Sequence, residues 1–457
     1  MRGRLILGVL MAVGMAANTV RADVVTDWNE ILLDAIRESE MPSPKAARAI
    51  AMMNLAMYDT INSFSPTHDT YLTAGTPGIG ATRDASGVAA ARRILVALFP
   101  GQQATFDAAV TAYIGGLPEF IFAPSDAYGV SIANALLGAR DADGSSVNLN
   151  YDPGAGPGEW QPTPPSNAPA QLLNFASVLP FGMQSGSQFR RSGPPDLTSA
   201  RYTADFDEVS RYGTVASVHR TADQTQFARF WEDGPGTATT PGHWIEIAIT
   251  IAKDNGNTVE QNARVFALIG MAMADAGICT WDNKYAFDDW RPITAIRNAG
   301  ADGNDATDED AGWTPLIETP PTPGYISARS AYAAAAARMI EIIYGSNDIG
   351  FAATSDSLEG VTRNFTSLSG AAREAGFSGV VGGTCFRYAY EDGYDAGRDV
   401  AGYIHANYLR RLPATSSTGT SSACGSGACG LGGLFTVVGS LVGLPIIRRG
   451  NRKCRRR

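Results

Sequence analysis

One segment, residues 45–62, constrains the fold more than any other part of this chain. It reads KAARAIAMMNLAMYDTIN, with alanine and methionine on nearly every side of a helix. A helix that is apolar all round must be enclosed by other elements. We therefore predict that it lies in a core, with Ser43 as its cap and Pro44 in its first turn. Asp59 is then expected to be a buried polar group with partners.

Other segments repeat the helical spacing of apolar residues, and no stretch of useful length alternates as a strand would. Helices are predicted at 25–38, 85–98, 103–114, 126–140, 199–212, 221–231, 243–255, 258–279, 327–344, 367–375 and 392–409. This order predicts an all-α protein built of helical bundles. A Gly- and Pro-rich loop ends near residue 170 and divides an N-terminal helical region, 23–170, from a C-terminal helical domain, 171–412.

Both ends of the chain have the composition of export signals. Residues 1–22 are predicted to be a signal peptide, because basic residues precede an apolar run and a small-residue cleavage site. Residues 413–429 form a Ser/Gly linker with a Cys motif, and 430–457 form an apolar membrane segment followed by an Arg cluster. This arrangement resembles the C-terminal sorting tails of bacterial envelope proteins, which a membrane protease or sortase-like enzyme cuts; a plain membrane anchor is the alternative. Both interpretations place the protein in the cell envelope or outside the cell.

The charge between these ends is strongly negative. Of 36 Lys and Arg residues, three lie in the leader and seven after Cys429, which leaves 26 against 45 Asp and Glu and a net charge of −19. Such a surface repels nucleic acid, so we expect no DNA or RNA partner. Five cysteines are present, and an exported protein meets conditions that allow them to pair.

The segment 282–297 carries a candidate anion site. Lys284 and Arg291 are seven residues apart, which on one helix is about two turns and would place both cations on one face. Two such cations suit an oxyanion such as phosphate. The alternative is a solvated helix face on which Asp288 pairs with Lys284.

The spacing of Lys284 and Arg291-Pro292 resembles the first motif of the vanadium-dependent haloperoxidase and type 2 phosphatidic acid phosphatase superfamily. The resemblance extends to the bacterial haloperoxidase-like branch along most of the chain. The segments that carry it are SGSQFR at 185–190, RTADQTQFARFW at 220–231, TPGHW at 240–244, DAGICTWDNKY at 275–285, WTPLIETPPTPGY at 313–325 and VTRNFTSL at 361–368.

The resemblance implies an all-helical fold that holds vanadate or phosphate as a small oxyanion ligand. Lys284 and Arg291 would hold its oxygens, together with the Ser327 hydroxyl and the amide of Ala328 in the second motif. In the family, an acid/base His ends the second motif. A third motif supplies an Arg and a His that ligates vanadium or attacks phosphorus.

This chain departs from the pattern at the residues that perform the chemistry. Arg329 stands at the acid/base His position and cannot shuttle protons, although it would keep the pocket cationic. In the third motif, Gly379 replaces the Arg and Cys385 replaces the His, while Ala389 replaces the supporting acid. No metal ligands and no tightly bound vanadate are therefore expected.

Three hypotheses follow from these departures. The first is a catalytically degenerate member with a residual oxyanion site. The second is an active phosphatase or peroxidase-like enzyme that uses Cys385, with its pKa lowered by Lys284, Arg291 and Arg387. The third is a purely structural envelope protein in which a Cys279–Cys385 disulfide closes the inactive site. The natural substrate and the oligomeric state stay open.

Overall fold

The computed structural model describes residues 23–413, which form thirteen α-helices, one of them long and central. The helices are α1 (Val24–Glu38), α2 (Ser43–Asn62), α3 (Arg83–Leu98), α4 (Gln103–Ile114), α5 (Glu119–Arg140), α6 (Ala200–Gly213), α7 (Ala222–Phe230), α8 (Thr239–Asp254), α9 (Val259–Phe287), α10 (Pro292–Arg297), α11 (Ala328–Tyr344), α12 (Leu368–Val381) and α13 (Arg387–Asn407). The predicted all-α class is confirmed.

A small hairpin is the one sheet in the described residues. Strands β1 (Phe351–Thr354) and β2 (Thr362–Phe365) pair antiparallel, with Phe351 opposite Phe365. Each strand has four residues. Strands this short leave too little alternation to be recognised against the helical background.

Several helix ends differ from the predictions. Ser43 does not cap α2, because Pro42 occupies the cap position and Ser43 is the first helical residue. Helix α5 begins at Glu119, earlier than predicted, with Pro124 inside it. Helix α9 continues beyond Cys279 to Phe287, since no Gly or Pro interrupts residues 280–287. The prediction for the end of α9 was therefore wrong.

Helix α9 is the centre of the core. Its 29 residues make it about 44 Å long, and it packs against α2, α11 and α13. Small residues allow this close packing: a Cβ on Gly270 would lie 3.0 Å from the Ala51 Cα of α2. A Cβ on Gly277 would meet the hydroxyl of Tyr332 in α11 at 2.6 Å. The helix is therefore enclosed on several sides along its length.

Two buried carboxylates fasten long loops to this core. Asp59 in α2 accepts hydrogen bonds from the backbone N–H groups of residues 71–73, at 2.7, 2.9 and 3.1 Å. Asp275 in α9 accepts three from residues 181–183, at 2.6, 2.8 and 2.7 Å. Three N–H donors offset much of the cost of burying each carboxylate. The expected partners of Asp59 are thus identified.

The helices on either side of residue 170 contribute to one hydrophobic core, and residues 23–412 belong to one compact unit. The division into regions 23–170 and 171–412 stays a prediction. The predicted signal peptide, and the linker and membrane segment after Pro413, lie outside the described residues.

Candidate anion site

The end of α9 and the start of α10 present two cations from different helices. Helix α9 ends at Asp288, whose φ of +52° turns the chain and whose N–H donates to the Lys284 carbonyl at 2.9 Å. Arg291 then caps α10, with Pro292 as its first residue. The prediction that Lys284 and Arg291 share one helix face is therefore wrong, because the left-handed residue ends the helix between them.

Both cations nevertheless reach the same backbone segment. Lys284 Nζ donates to the Pro323 carbonyl at 2.6 Å, and Arg291 Nε donates to the Thr322 carbonyl at 2.7 Å. Arg291 Nη1 donates to the Thr384 carbonyl at 2.7 Å. Lys284 is 2% exposed and Arg291 5% exposed, so the alternative of a solvated helix face is wrong.

The carboxylate of Asp288 does not pair with Lys284. It accepts a hydrogen bond from the hydroxyl of Tyr151, which lies in the long loop before residue 170. The backbone of the same loop joins this segment, because Trp160 N donates to the Asp288 carbonyl at 2.8 Å. The loop therefore belongs to the wall of the site.

The second motif opens helix α11. Ser327 is its cap and accepts from Ser330 N at 3.4 Å. Ala328 is the first helical residue, so its amide has no carbonyl partner within the helix. Arg329 donates from Nη1 to Ser378 Oγ at 2.9 Å and from Nη2 to the Glu232 carbonyl at 2.7 Å. Its buried Nε has no partner within the described residues.

Cys385 lies where these groups meet. Its side chain is buried, and the charges of Arg291, Arg329 and Lys284, together with the Ser327 side chain, favour the thiolate. Burial acts in the opposite direction and is the largest influence, so the pKa of Cys385 is raised above its ordinary value. The structure therefore brings together Lys284, Arg291, Ser327, Arg329 and Cys385.

Gly379, in the third motif, has no side chain, so the side chains of Cys385 and Arg329 can lie close to its Cα. A Cβ built on Gly379 would lie 2.8 Å from Cys385 Sγ and 4.0 Å from Arg329 Nη1. The Arg329 guanidinium, which comes from the second motif, thus lies beside the position where the third motif carries Arg in the family. That Arg329 keeps the pocket cationic stays a prediction.

Burial perturbs every charge in the site. The pKa of Lys284 is lowered well below its ordinary value by burial and then by the charge of Arg291. Burial also lowers the pKa of Arg291, to about 10. Within residues 23–413, Asp289 is the carboxyl that acts on both cations, and it accepts a hydrogen bond from the Tyr388 hydroxyl at 3.0 Å. Burial raises the pKa of Asp289 to about 8, so it supplies little negative charge at neutral pH.

Sequence reasoning missed Asp289 and a second acidic group next to Arg329. Asp233 favours the charged form of Arg329, and its Oδ1 lies 3.0 Å from Nδ1 of the buried His243. The Trp231 ring stacks on His243 with ring centroids 4.6 Å apart. Asp233 lies just after the segment RTADQTQFARFW, and His243 lies within TPGHW. Both segments carry the family resemblance, and that resemblance was the available signal for this pair.

Three other arginines do not join the site. Arg387 was expected near Cys385, but its Nε donates to Glu208 at 2.7 Å and its guanidinium lies over the Phe377 ring. Arg190 holds Asp282 with two bonds of 2.7 Å, and Arg191 donates to Asp399 at 2.7 Å. Each is paired with a carboxylate.

The Cys279–Cys385 disulfide is not formed, because both cysteines are free and buried. Cys279 precedes Lys284 by five residues, which turns it about 140° around α9 from the lysine. Its sulfur lies 3.6 Å from Asn283 Nδ2, within the same helix. The pKa of Cys279 is raised to about 12, mainly by burial. The two sulfurs therefore lie in different surroundings.

Fold and site together define an all-helical protein in which a cluster of buried cations surrounds a thiol. Residues 264–412 match the VCPO second helical-bundle domain. The chain is 26% identical over 398 residues to the vanadium chloroperoxidase of Curvularia inaequalis, an alignment that covers 69% of this chain and 65% of that protein. The chain thus spans slightly less than two thirds of this relative.

Solved structures show the same fold. A bacterial vanadium-dependent iodoperoxidase superimposes with a TM-score of 0.77 at 24% identity, covering 86% of this chain and 98% of that one. The holo form of a bacterial vanadium-dependent chloroperoxidase gives a TM-score of 0.65 at 16% identity, covering 80% and 92%. These matches support the resemblance to the vanadium haloperoxidase superfamily that the motifs predicted.

Proposed function

We propose that this protein is an exported haloperoxidase-like protein that binds a phosphate-like oxyanion and has lost the halide-oxidising chemistry of its relatives. The observation that carries the proposal is the convergence of Lys284, Arg291 and Arg329 on Cys385. Two guanidinium groups and the amine of Lys284 meet there, at the position where the family has a histidine.

The charge balance supports an anion ligand. Asp289 acts on Lys284 and Arg291, but its raised pKa leaves it mostly protonated at neutral pH. Asp233, which acts on Arg329, also pairs with His243. A buried cation without a full countercharge is costly, and a bound oxyanion would supply that charge. The free N–H of Arg329 Nε and the remaining hydrogens of Lys284 Nζ are donors suited to its oxygens.

The residues fit phosphate or vanadate held by charge and hydrogen bonds, and they do not fit a ligated vanadate. The family uses one His as the vanadium ligand and another as acid/base, and Cys385 and Arg329 occupy those positions. His243 is buried and paired with Asp233. Arg329 stays protonated and cannot pass a proton to a leaving oxygen.

The test is anion binding by calorimetry together with an activity assay. Wild-type protein should bind phosphate or vanadate, and Arg291→Gln should weaken binding about ten-fold or more, because a charge-assisted hydrogen bond contributes about 1.5–3 kcal/mol. Arg387→Gln is the matched control, since Arg387 pairs with Glu208 outside the cluster. Bromide, chloride and iodide oxidation with added vanadate should stay at background. Halide turnover that Arg291→Gln abolishes would overturn the proposed loss of chemistry.

The second hypothesis, a phosphatase with Cys385 as nucleophile, has three neighbouring cations in its favour and burial against it. The raised pKa leaves little thiolate at neutral pH. We expect Cys385→Ser to leave phosphate binding within about three-fold, a change of under 1 kcal/mol. Phosphomonoester turnover that disappears in Cys385→Ser would favour this second function.

Export is the remaining part of the proposal. Asp23 follows the predicted cleavage site and caps α1, where Oδ1 accepts from Val25 N at 2.9 Å. A mature chain that begins at Asp23 would therefore keep this cap. N-terminal sequencing of the protein from the envelope fraction should begin at Asp23. A tail cut near residues 413–429 would support sorting, and an intact tail in the membrane would support a plain anchor.

A further inference from the structure

A second candidate site lies at the opposite end of α9 from Lys284. A cavity of about 400 Å³ opens there between α2, the start of α9 and the end of α11. Its polar lining includes Tyr58, Asn62, His68, Asn257, Arg264 and Tyr344. A volume of this size suits a small organic molecule, since ligand pockets run from about 300 to 1,000 Å³.

The central feature of this cavity is the guanidinium of Arg264. Its Nε donates to the Leu409 carbonyl at 2.9 Å, and the side chain is half-buried. Within residues 23–413 it makes no ion pair with a carboxylate, and besides burial the group that acts on its charge is Tyr58. Its four Nη hydrogens are therefore available to a ligand, and the charge is not neutralised.

The surroundings of Arg264 add positive charge. The charge of Arg264 acts on both His68 and His405. Arg411 adds a second positive charge near His68, and Arg338 adds one near His405. His68 and His405 have lowered pKa values, first because of burial and then because of these cations. In a protein whose body carries a net charge of −19, this local excess of cations attracts anions.

The nearby carboxylates are paired with other arginines. Glu260 is the acid among the residues that line the cavity, and it accepts a hydrogen bond from the Arg83 guanidinium. Asp69 acts on His68 but lies 3.3 Å from Arg410 Nε. Neither is within ion-pair distance of Arg264.

The remaining walls combine fixed polar groups with apolar ones. Asn257 Nδ2 donates to the Tyr344 hydroxyl at 2.7 Å, which leaves the Tyr344 hydrogen free to donate. Ile61, Val265 and Ile343 supply hydrocarbon surface. One cation, a few oriented polar groups and an apolar wall are the usual components of a small-molecule site.

We propose that this cavity binds a small organic anion, with a carboxylate or phosphate on Arg264 and its hydrocarbon body against Ile61, Val265 and Ile343. The site is separate from the proposed oxyanion site. Arg264 and Lys284 are 20 residues apart on α9, on the order of 30 Å.

The experiment measures binding of benzoate, phenyl phosphate, inorganic phosphate and benzyl alcohol to the purified protein by calorimetry. Benzoate or phenyl phosphate should bind more tightly than neutral benzyl alcohol, and Arg264→Gln should weaken that binding at least ten-fold. Arg92→Gln is the matched control, because Arg92 pairs with Asp107 at 2.6 Å and does not line the cavity. Arg291→Gln should leave benzoate binding unchanged and reduce only inorganic phosphate binding.

A second variant tests the same site in case Arg264→Gln does not fold. His68→Glu places a carboxylate beside Arg264 at a partly exposed position and should abolish benzoate binding while helical circular dichroism stays unchanged. The proposal is overturned if neither aromatic anion binds the wild type at millimolar concentration. It is equally overturned if binding survives Arg264→Gln and His68→Glu, or if it is lost in Arg291→Gln instead.

Discussion

At the scale of single residues, Gly379 and Arg329 show how this site keeps its charge with different side chains. Gly379 has no side chain, and a Cβ built there would lie 2.8 Å from Cys385 Sγ. Arg329, from another helix, brings a guanidinium within 4.0 Å of that same point. A guanidinium therefore lies near this position, and a guanidinium cannot exchange protons at neutral pH.

Gly379→Ala tests this packing. The new Cβ would lie 2.8 Å from the buried Cys385 Sγ, and overpacking of this kind costs about 1–3 kcal/mol. The free energy of unfolding from urea denaturation measures the cost. Removing the sulfur should relieve it, so Gly379→Ala should cost clearly less in a Cys385→Ala background. Equal costs in both backgrounds would contradict the close contact.

The buried pair His243–Asp233 predicts a pH dependence. Burial alone would lower the pKa of His243, but the charge and hydrogen bond of Asp233 outweigh it, and the pKa is raised above its ordinary value. Glu246 and Asp356 act in the same direction. The stabilising effect is therefore fully present below about pH 6.5. It is lost as the pH rises through the folded-state value.

Histidine proton NMR of the four histidines checks this prediction. The resonance that disappears in His243→Gln should titrate above the ordinary value, and Asp233→Asn should move it downward. His68 and His405 have lowered pKa values and serve as internal controls. Unfolding free energies should fall more between pH 6 and pH 9 in the wild type than in Asp233→Asn. A His243 resonance that titrates below 6.5 would refute the sign of the shift.

At the scale of elements, α11 and α13 approach closely enough that glycine is required. A Cβ on Gly397 would lie 2.2 Å from the Ala331 carbonyl oxygen, and one on Gly393 would lie 2.6 Å from the Ser327 carbonyl oxygen. Both obstacles are backbone atoms, which cannot rotate away. This contact places Ser327 at the start of α11 against α13 and so positions the second motif.

Gly397→Ala should therefore lower the free energy of unfolding by about 3 kcal/mol, the upper end of the range for overpacking. Gly402→Ala is the matched control in the same helix, because nothing lies within 4 Å of its Cβ position. That control should stabilise the protein by about 0.5–1 kcal/mol through helix propensity. Thermal denaturation of the two variants compares them directly, and similar melting temperatures would argue against the tight crossing.

At the scale of the whole molecule, α2 ties the N-terminal region to the rest of the chain. Nearly every residue of α2 from Pro44 to Asn62 is buried, and one of its main partners is α9, beyond residue 170. Without α9, this apolar surface would be exposed to water at about 25 cal/mol per Å². The N-terminal region therefore depends on the C-terminal one.

A split chain tests this dependence. The fragment 23–170 alone should show no cooperative thermal transition by circular dichroism, because α2 would lose one of its packing partners. Mixing it with the fragment 171–413 should restore a cooperative transition. A fragment 23–170 that melts cooperatively by itself would show that the boundary near residue 170 separates independent domains.

The all-α class could be read from the sequence, because helical periodicity is a local property. The sequence also indicated that Lys284 and Arg291 act together, through their motif. It gave no sign of Asp289 raised to a pKa of about 8, since that shift comes from burial by the whole fold.

What the sequence by itself determined is therefore the class of fold, the family motifs and the absence of histidines from them. The tertiary structure alone decided which charges meet. Arg291 reaches Thr384 across 93 positions, and the charges of Asp233 and Cys385 act on Arg329. Cys279, close to Lys284 in the chain, is turned away by the geometry of α9. The direction of a side chain is set by helix rotation and packing, and residue spacing does not report either.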